Sequence, residues 1–409
     1  AKPACALDGL SLAVNDADYG APNRDKDKDK DAFICEAVRS RRNYGRDSKQ
    51  TFYKSIIKRV AKRDASRTDN LEELAETLCN FAGDFETIAT KRGGLLNGKL
   101  AVFYADGNNF GKKQTIHCTG PEHQIAFDEF LRFRREVFLT DFLQTEASKD
   151  EWKTKVREKG ADVEVIRFET LLWGGDELMF VMPAALGWRF ATFFFEELGG
   201  LNLNQAKLPD GKPLATDEPL THAAALVFCQ HHAPIDRIKH LAKDQMAEFA
   251  KRTDRTRDSL VAVALESFDH LGSGFEDGMD KRYNRPFPVK KIIIPLEQII
   301  LKGTGEKILA VSLLEIATQV TTLRQSESFA RSQLRGLVNE MLDKRTKAEA
   351  DKLAKFDQDK KGVWQPPRNF RNASADEKKL LREQLLPLFS GHAATLWVQL
   401  EELWDYALL

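Results

Sequence analysis

Three carboxylates in the sequence stand where metal-assisted phosphoryl chemistry would want them. Asp106 closes "GKLAVFYADGNNFGKKQ" (98–114), a short apolar run ended by Asp-Gly-Asn-Asn, and Asp176 and Glu177 lie within "LLWGGDELMFVMP" (171–183), between two apolar arms. Read alone, Gly174, Gly175, Asp176 and Glu177 admit two meanings. One is a tight turn, since glycine takes φ > 0 without steric cost and acids suit turns; the other is a metal site at a hairpin tip. A two-metal site for nucleotidyl transfer needs carboxylates held close together on neighbouring strands, so that one ion acidifies the attacking hydroxyl while the other holds the triphosphate and leaving group. Asp106 and Asp176 satisfy this if their strands are adjacent. Two Mg²⁺ (or Mn²⁺) ions prefer oxygen donors, which Asp106, Asp176 and the Gly107 carbonyl supply. The turn Gly107, Asn108, Asn109, Phe110 and Gly111 leads toward a helix, where backbone N–H groups cradle phosphate. Lys251 and, four residues later, Arg255 close a further helix and bring the cations a triphosphate requires.

Other reactive residues form looser groupings. Cys229, His231 and His232 invite a zinc site, with Cys118 or His117 as a further ligand, but neighbours on a strand point to opposite faces. Cys5 and Cys35 read either as half of a zinc site or as small packed residues; Glu266, Asp269 and His270 follow the apolar run "LVAVAL", and Asp269 reads either as a neighbour of the site or as a solvated strand end. From Arg39 to Arg67 there are eleven Lys or Arg against Asp47 and Asp64. Phe52, Ile56, Ile57 and Val60 recur there at helical spacing, which predicts an amphipathic basic helix, either a solvated face or a contact for RNA, DNA or an acidic protein.

Positioning the acids requires a central strand at 98–106 and a helix over 120–150 marked by Phe127, Phe130, Leu131, Val137, Phe138 and Phe142. A hairpin with arms "VEVIRFETLLW" and "ELMFVMP" follows, then a helix "GWRFATFFFEEL", a strand "LTHAAALVFC" and a helix with Ile235, Ile238, Ala242, Met246 and Phe249 on one face. This order predicts an α+β fold, an antiparallel-containing sheet with helices packed on it, rather than strict alternation. "LVAVAL" and "VKKIIIPL" read as further strands on either side of a linker at "LGSGFEDGMDKRYNRPFP". The chain is then mostly helical: residues 311–349, a helix opened by Ser374 with Glu377 in capping-box spacing, and a final stripe of Leu396, Trp397, Leu400, Leu403 and Trp404, core or partner interface. Three domains are expected: an N-terminal region (1–90) with the basic helix, the sheet domain (91–275) and a helical C-terminal domain (276–409).

Totals narrow the classes. The 62 cations balance 62 anions, so no global basic field advertises nucleic acid, and no apolar run approaches membrane-spanning length. Five scattered cysteines without a CxxC pair suit reduced thiols, and with no signal peptide the expected location is the cytoplasm. The chain starts without Met, so its natural start is expected upstream or processed.

Taken together, "YADGNNFG", "WGGDEL" and "LTHAAALVFCQHHAPIDRIKHLAKDQMAEFAK" resemble the palm domain shared by GGDEF nucleotidyl cyclases and the large polymerase subunit of type III CRISPR effector complexes, in a stand-alone form. The resemblance covers about residues 95–270 and is nearer the CRISPR branch in its last stretch. It implies a ferredoxin-like palm in which Asp106 and Asp176 bind the metals, Glu177 assists, Gly174 and Gly175 let the nucleotide approach and Lys251 holds phosphate. It further implies conversion of ATP or another nucleoside triphosphate into a cyclic mono- or oligonucleotide second messenger in antiviral defence, with release of pyrophosphate. Glu177 stands where the CRISPR subunits have a second Asp, and Leu178 where the cyclases have Phe. Two other readings keep the palm: a non-catalytic nucleotide- or RNA-binding regulatory subunit, and a cyclohydrolase that opens a purine ring. One complete motif predicts a homodimer or a partner palm, with the C-terminal Trp helix as a candidate surface.

Overall fold

The computed structural model describes residues 36–265 apart from 92, 95, 159 and 254, the pieces 274–275, 294–295 and 298–299, and residues 309–408 apart from 345, 346, 361 and 389–392. Cys5, Cys35, Glu266, Asp269, His270 and most of the expected linker lie outside the described residues. In chain order come α1 (Glu36–Arg63), α2 (Thr68–Thr77), β1 (Asn80–Phe81), α3 (Phe85–Ala89), β2 (Lys99–Gly107), α4 (Phe110–His117) and α5 (Pro121–Asp141). Next are β3 (Lys153–Glu158), β4 (Ala161–Ile166), β5 (Glu169–Trp173), β6 (Leu178–Pro183), α6 (Ala184–Leu198), β7 (Leu201–Asn202), β8 (Pro219–Leu220) and β9 (His222–Gln230). After them run α7 (Ile235–His240), α8 (Glu248–Thr253), β10 (Ser259–Ala264), β11 (Ile294–Pro295), β12 (Gln298–Ile299) and β13 (Leu309–Ala310). The C-terminal helices are α9 (Val311–Gln325), α10 (Arg331–Leu342), α11 (Lys347–Ala354), α12 (Ala375–Lys379) and α13 (Ala393–Leu403). The chain divides into two compact units, Ala1–Ile88 with Arg135–Phe168, and Ala89–Arg134 with Glu169–Leu409.

In the first unit α1 is the expected amphipathic helix, with Tyr53, Ile56, Ile57 and Val60 buried. Phe52, placed on that face by periodicity, is only half-buried, and Tyr53 takes the central position, its ring 3.9 Å from that of Phe81. A small sheet runs in the order β1-β4-β3, with β4 antiparallel to β3 and parallel to β1. The expected arm "VEVIRFETLLW" is therefore two strands: Ala161–Ile166 belongs to this sheet, and only Glu169–Trp173 pairs with Leu178–Pro183. Arg167 at the break is buried. Its guanidinium donates to the carbonyls of Ile88 (3.2 Å) and Glu151 (2.6 Å), which fixes the strand end, and burial lowers its pKa to about 10. The helix expected over 120–150 ends at Asp141 and gives way to a π-helical turn at Phe142–Glu146 and a 3₁₀ turn at Asp150–Trp152.

The second unit is built on a sheet in the order β11-β10-β9-β2-β6-β5. β2 lies in the middle, antiparallel to β6 and to β9, while β10 runs parallel to β9. The four strands β2, β5, β6 and β9 give the spatial order fourth-first-third-second, the ferredoxin-like arrangement that the family resemblance implies, with β10 added through the crossover helix after β9. Buried on both sides, β2, β6 and β9 read as continuous apolar runs instead of alternating ones. One face of β2 presents Phe103 to Phe190 and Phe194 of α6. α6 lies so close that a Cβ on Gly187 would stand 2.4 Å from the Ala101 Cβ.

The C-terminal helices pack within the same unit. The Trp188 indole of α6 donates to the Leu313 carbonyl (3.0 Å), and the Tyr406 ring stacks on Phe228 at 4.4 Å while its hydroxyl accepts from Lys99 (2.9 Å). Leu396, Trp397, Leu400, Leu403 and Trp404 are all buried; Trp397 stacks with Phe370 and donates to the Ala354 carbonyl (2.9 Å). The stripe is therefore core of its own chain, which removes it as a surface for a second copy. The Ser374–Glu377 capping box forms as expected, with Ser374 N–H donating to the Glu377 carboxylate at 2.7 Å. Among the described residues no helix is long and apolar enough to cross a membrane.

Candidate active site

Alternation along β2 decides which side chains share a face. Phe103 turns to α6, so Tyr104 and Asp106, two residues apart, turn to the opposite face. The hairpin tip arrives there from the adjacent strand: β6 pairs with β2 as far as Ala105 opposite Leu178, and the Gly107 N–H donates to the Asp176 carbonyl (3.2 Å). The Gly174 N–H closes the tip on the Glu177 carbonyl (2.8 Å). Adjacency of the two strands, the condition set by the sequence for Asp106 and Asp176, is thus a feature of the fold.

The helix after β9 delivers two cations to this face. Lys251 on α8 is ion-paired to Asp106 and donates to Glu248 at 2.9 Å, and Lys243 donates to Glu177 at 2.5 Å. The Tyr104 hydroxyl lies between the acids, 3.0 Å from Glu177 and 3.4 Å from Asp106. Burial raises the Asp106 pKa above the ordinary carboxylate value; Lys251 opposes that rise, and the charges of Asp176 and Glu177 reinforce it. Burial pushes Glu177 upward too, but the bonds from Lys243 and Tyr104 outweigh it and the net shift is downward. Lys243 is raised by its bond to Glu177; Lys251 is raised because its bonds to Asp106 and Glu248 outweigh its burial. Burial and the two acids raise the Tyr104 phenol well above its ordinary value, so it remains a neutral donor.

The turn after β2 divides into used and open groups. Asn108 is wholly buried. Its N–H donates to the Thr221 carbonyl (2.8 Å) and its amide to the Thr221 hydroxyl (3.1 Å), so it clamps β2 to the approach to β9 rather than facing a nucleotide. Gly107 is needed because a Cβ there would stand 2.5 Å from the Phe110 ring. Asn109 adopts a left-handed conformation (φ 59°) and starts α4, where Phe110 and Gly111 supply first-turn N–H groups, which an α-helix leaves without an internal acceptor. Nothing lies within 4 Å of a Cβ built on Gly111 or on Gly175. Neither Gly174 nor Gly175 has positive φ, so the turn does not need them for that reason; a Cβ on Gly174 would press on the Glu177 carbonyl at 3.1 Å. Arg255 lies beyond the end of α8, exposed, and its guanidinium donates to the Asn109 side chain (3.1 Å), which brings it to the turn.

Tyr104, Lys243 and Glu248 were not singled out by sequence reasoning. Tyr104 carried a signal, two residues before Asp106 on one strand. Lys243 did not: Leu241–Ala247 is π-helical, and this shifts the phase of the helix face on which Lys243 and Lys251 both act.

The donors at this face are carboxylate and backbone oxygens. That chemistry suits a hard ion such as Mg²⁺, which is commonly held by one or two carboxylates and completed by substrate phosphate rather than caged by protein alone. Among the described residues no group of three or more His, Cys, Asp or Glu stands ready as a cage. The zinc candidates are engaged separately. Cys229 is buried, its thiol pushed up to about 12 by burial; His231 Nδ1 donates to the Gly98 carbonyl (3.0 Å); Cys118 donates to the His123 carbonyl (3.5 Å); and His117 faces Glu218 (3.3 Å).

No family model matches the chain. No curated protein matches it. Among solved structures, the GGDEF domain of TpbB (YfiN) from Pseudomonas aeruginosa is similar at 16% identity over 40% of this chain and 77% of that one, with a TM-score of 0.25.

Proposed function

We propose that the chain is a Mg²⁺-dependent nucleotidyl cyclase that converts ATP, or another nucleoside triphosphate, into a cyclic mono- or oligonucleotide with release of pyrophosphate. The observation that carries this reading is the meeting of Asp106 with the Asp176–Glu177 tip on one sheet face, with Lys243 and Lys251 bonded to two of the three acids. Asp106 and Asp176 would hold the metal, which, when bound, acidifies a ribose hydroxyl and neutralises the triphosphate. In the reaction a ribose oxygen bonds to the α-phosphorus, the bond from that phosphorus to the β-bridging oxygen breaks, pyrophosphate departs, and the hydroxyl proton passes to solvent water.

The chain's own groups orient these partners. The first turn of α4 and the Arg255 guanidinium face the phosphates, and open space at Gly175 admits the nucleotide. Lys251 and Lys243 exchange their carboxylate partners for phosphate oxygens, and Tyr104 keeps Glu177 beside Asp106 during that exchange. Joining two nucleotides calls for a second palm, supplied by another copy or a partner subunit. The motif resemblance to the type III CRISPR polymerase subunit supports a role for the product as a second messenger in antiviral defence. A second reading, a nucleotide- or RNA-binding regulatory subunit, is favoured by the lysines that already neutralise Asp106 and Glu177.

Incubation with each of the four triphosphates and Mg²⁺ or Mn²⁺, followed by chromatography, tests the proposal beside Asp176→Ala protein. A new phosphodiester product that the variant does not make is expected. Triphosphate that binds and is returned unchanged supports the regulatory reading, and a ring-opened guanosine product overturns phosphoryl transfer.

A further inference from the structure

We infer that the exposed face of α1, in the first unit, is a track for single-stranded nucleic acid, an inference that does not rest on the proposed reaction. Residues 48–63 contain Lys49, Lys54, Lys58, Arg59, Lys62 and Arg63 and no acid, in a chain whose 62 cations and 62 anions balance. The apolar side of the helix is committed, with Tyr53, Ile56, Ile57 and Val60 buried. On the other side Lys54, Lys58 and Lys62 recur every fourth residue, which sets their Cα atoms about 6 Å apart in a row about 12 Å long. Among the described residues these three ammonium groups have no ion-pair or hydrogen-bond partner. Arg59, by contrast, is bonded to Glu136 (2.8 Å) and Lys49 to the Ala82 carbonyl (2.9 Å).

An aromatic ring extends the row. Tyr44 is 75% exposed and precedes Lys62 by eighteen residues, about five helical turns, so it projects from the same face, about 15 Å along the axis from Lys54. Evenly spaced cations with a solvent-facing ring fit a single sugar-phosphate backbone, phosphates on the ammonium groups and an unpaired base on the phenol. A duplex hides its base faces from such a ring, and a membrane would need aliphatic side chains that this face does not show. An acidic protein surface has no base to lay on the exposed phenol of Tyr44, and polyglutamate serves as the test of that alternative.

Fluorescence anisotropy of the full chain with fluorescein-labelled, unstructured 20-nucleotide RNA and DNA, from about 50 to 200 mM NaCl, tests this. Three phosphate contacts predict a log–log salt slope of about −2. K54Q/K58Q/K62Q should flatten the slope and weaken binding at least about tenfold. Tyr44→Ala should weaken it about tenfold with the slope retained, and Asp176→Ala should bind as wild type does. Four exposed or half-exposed side chains leave the fold intact, which far-UV circular dichroism checks. Wild-type-like binding by the lysine variant overturns the proposal. So does a 20-base-pair duplex or polyglutamate that binds as tightly as the single strands, or Tyr44→Ala without effect.

Discussion

Lys251 and Asp106 form a nearly enclosed pair, with side chains 10% and 14% exposed, and this pair makes the site testable without any knowledge of its substrate. Replacing Lys251 by Met leaves the Asp106 carboxylate buried beside Asp176 and Glu177 with its counter-charge gone. Removing one member of such a pair costs about 3–5 kcal/mol. Asp106→Asn should cost less, about 1 kcal/mol, because the amide keeps the shape, sheds a charge that burial already disfavours, and leaves Lys251 bonded to Glu248 at 2.9 Å. In the double variant no charge is stranded, so its loss should fall short of the sum of the singles by about 1–3 kcal/mol. Urea titrations of wild type, both singles and the double measure this coupling directly. Additivity within about 0.5 kcal/mol would mean that the two side chains do not sense one another, and the arrangement on this face would be wrong.

Three further outcomes follow from the same geometry. If the proposed function holds, Lys243→Met weakens binding of a fluorescent nucleoside triphosphate about 10- to 100-fold, the worth of one charged hydrogen bond, and unchanged affinity removes Lys243 from the proposed phosphate contacts. Gly187→Ala should lower stability by about 1–3 kcal/mol in urea, because its new methyl would stand 2.4 Å from the Ala101 Cβ and force α6 off the sheet. The Lys243–Glu177 bond should also leave a pH signature. Lys243 is raised from its ordinary 10.5, so its contribution is complete below that value and is lost as pH climbs through the higher folded one; Glu177 is lowered from 4.5, so its contribution is complete above 4.5 and is lost as pH falls beneath it. The stability difference between wild type and Lys243→Met should therefore be flat between about pH 5 and 10 and shrink on either side, whereas a slope centred near neutrality would place the titration elsewhere.

The central strands were legible because burial on both sides writes itself as unbroken apolar letters, as in "LAVFYA" and "HAAALVFC". The turn residues that interrupt them located Asp106 and the hairpin tip. Legibility failed where one stretch of similar letters served two sheets: nothing in "VEVIRFETLLW" marks the break at Arg167, since strand propensity is equal on both sides of it. It failed again along 235–253, where a π-helical turn rephased the helix and hid Lys243. Asn108 looked like a ligand because small polar residues serve phosphates and turns alike, and only the neighbouring Thr221 decides between them. The Trp-rich ending left core and interface equally open until Phe370 and Ala354 were found against Trp397.

Asp106 meets Lys251 across 145 residues of chain and Glu177 meets Lys243 across 66. During synthesis the acids emerge long before the cations that neutralise them, and their mutual repulsion is relieved only when the helix after β9 docks. A nascent chain halted before that helix holds Asp106, Asp176 and Glu177 without Lys243 and Lys251, so the charge balance of this face is completed only through contacts of long sequence separation, which form slowly.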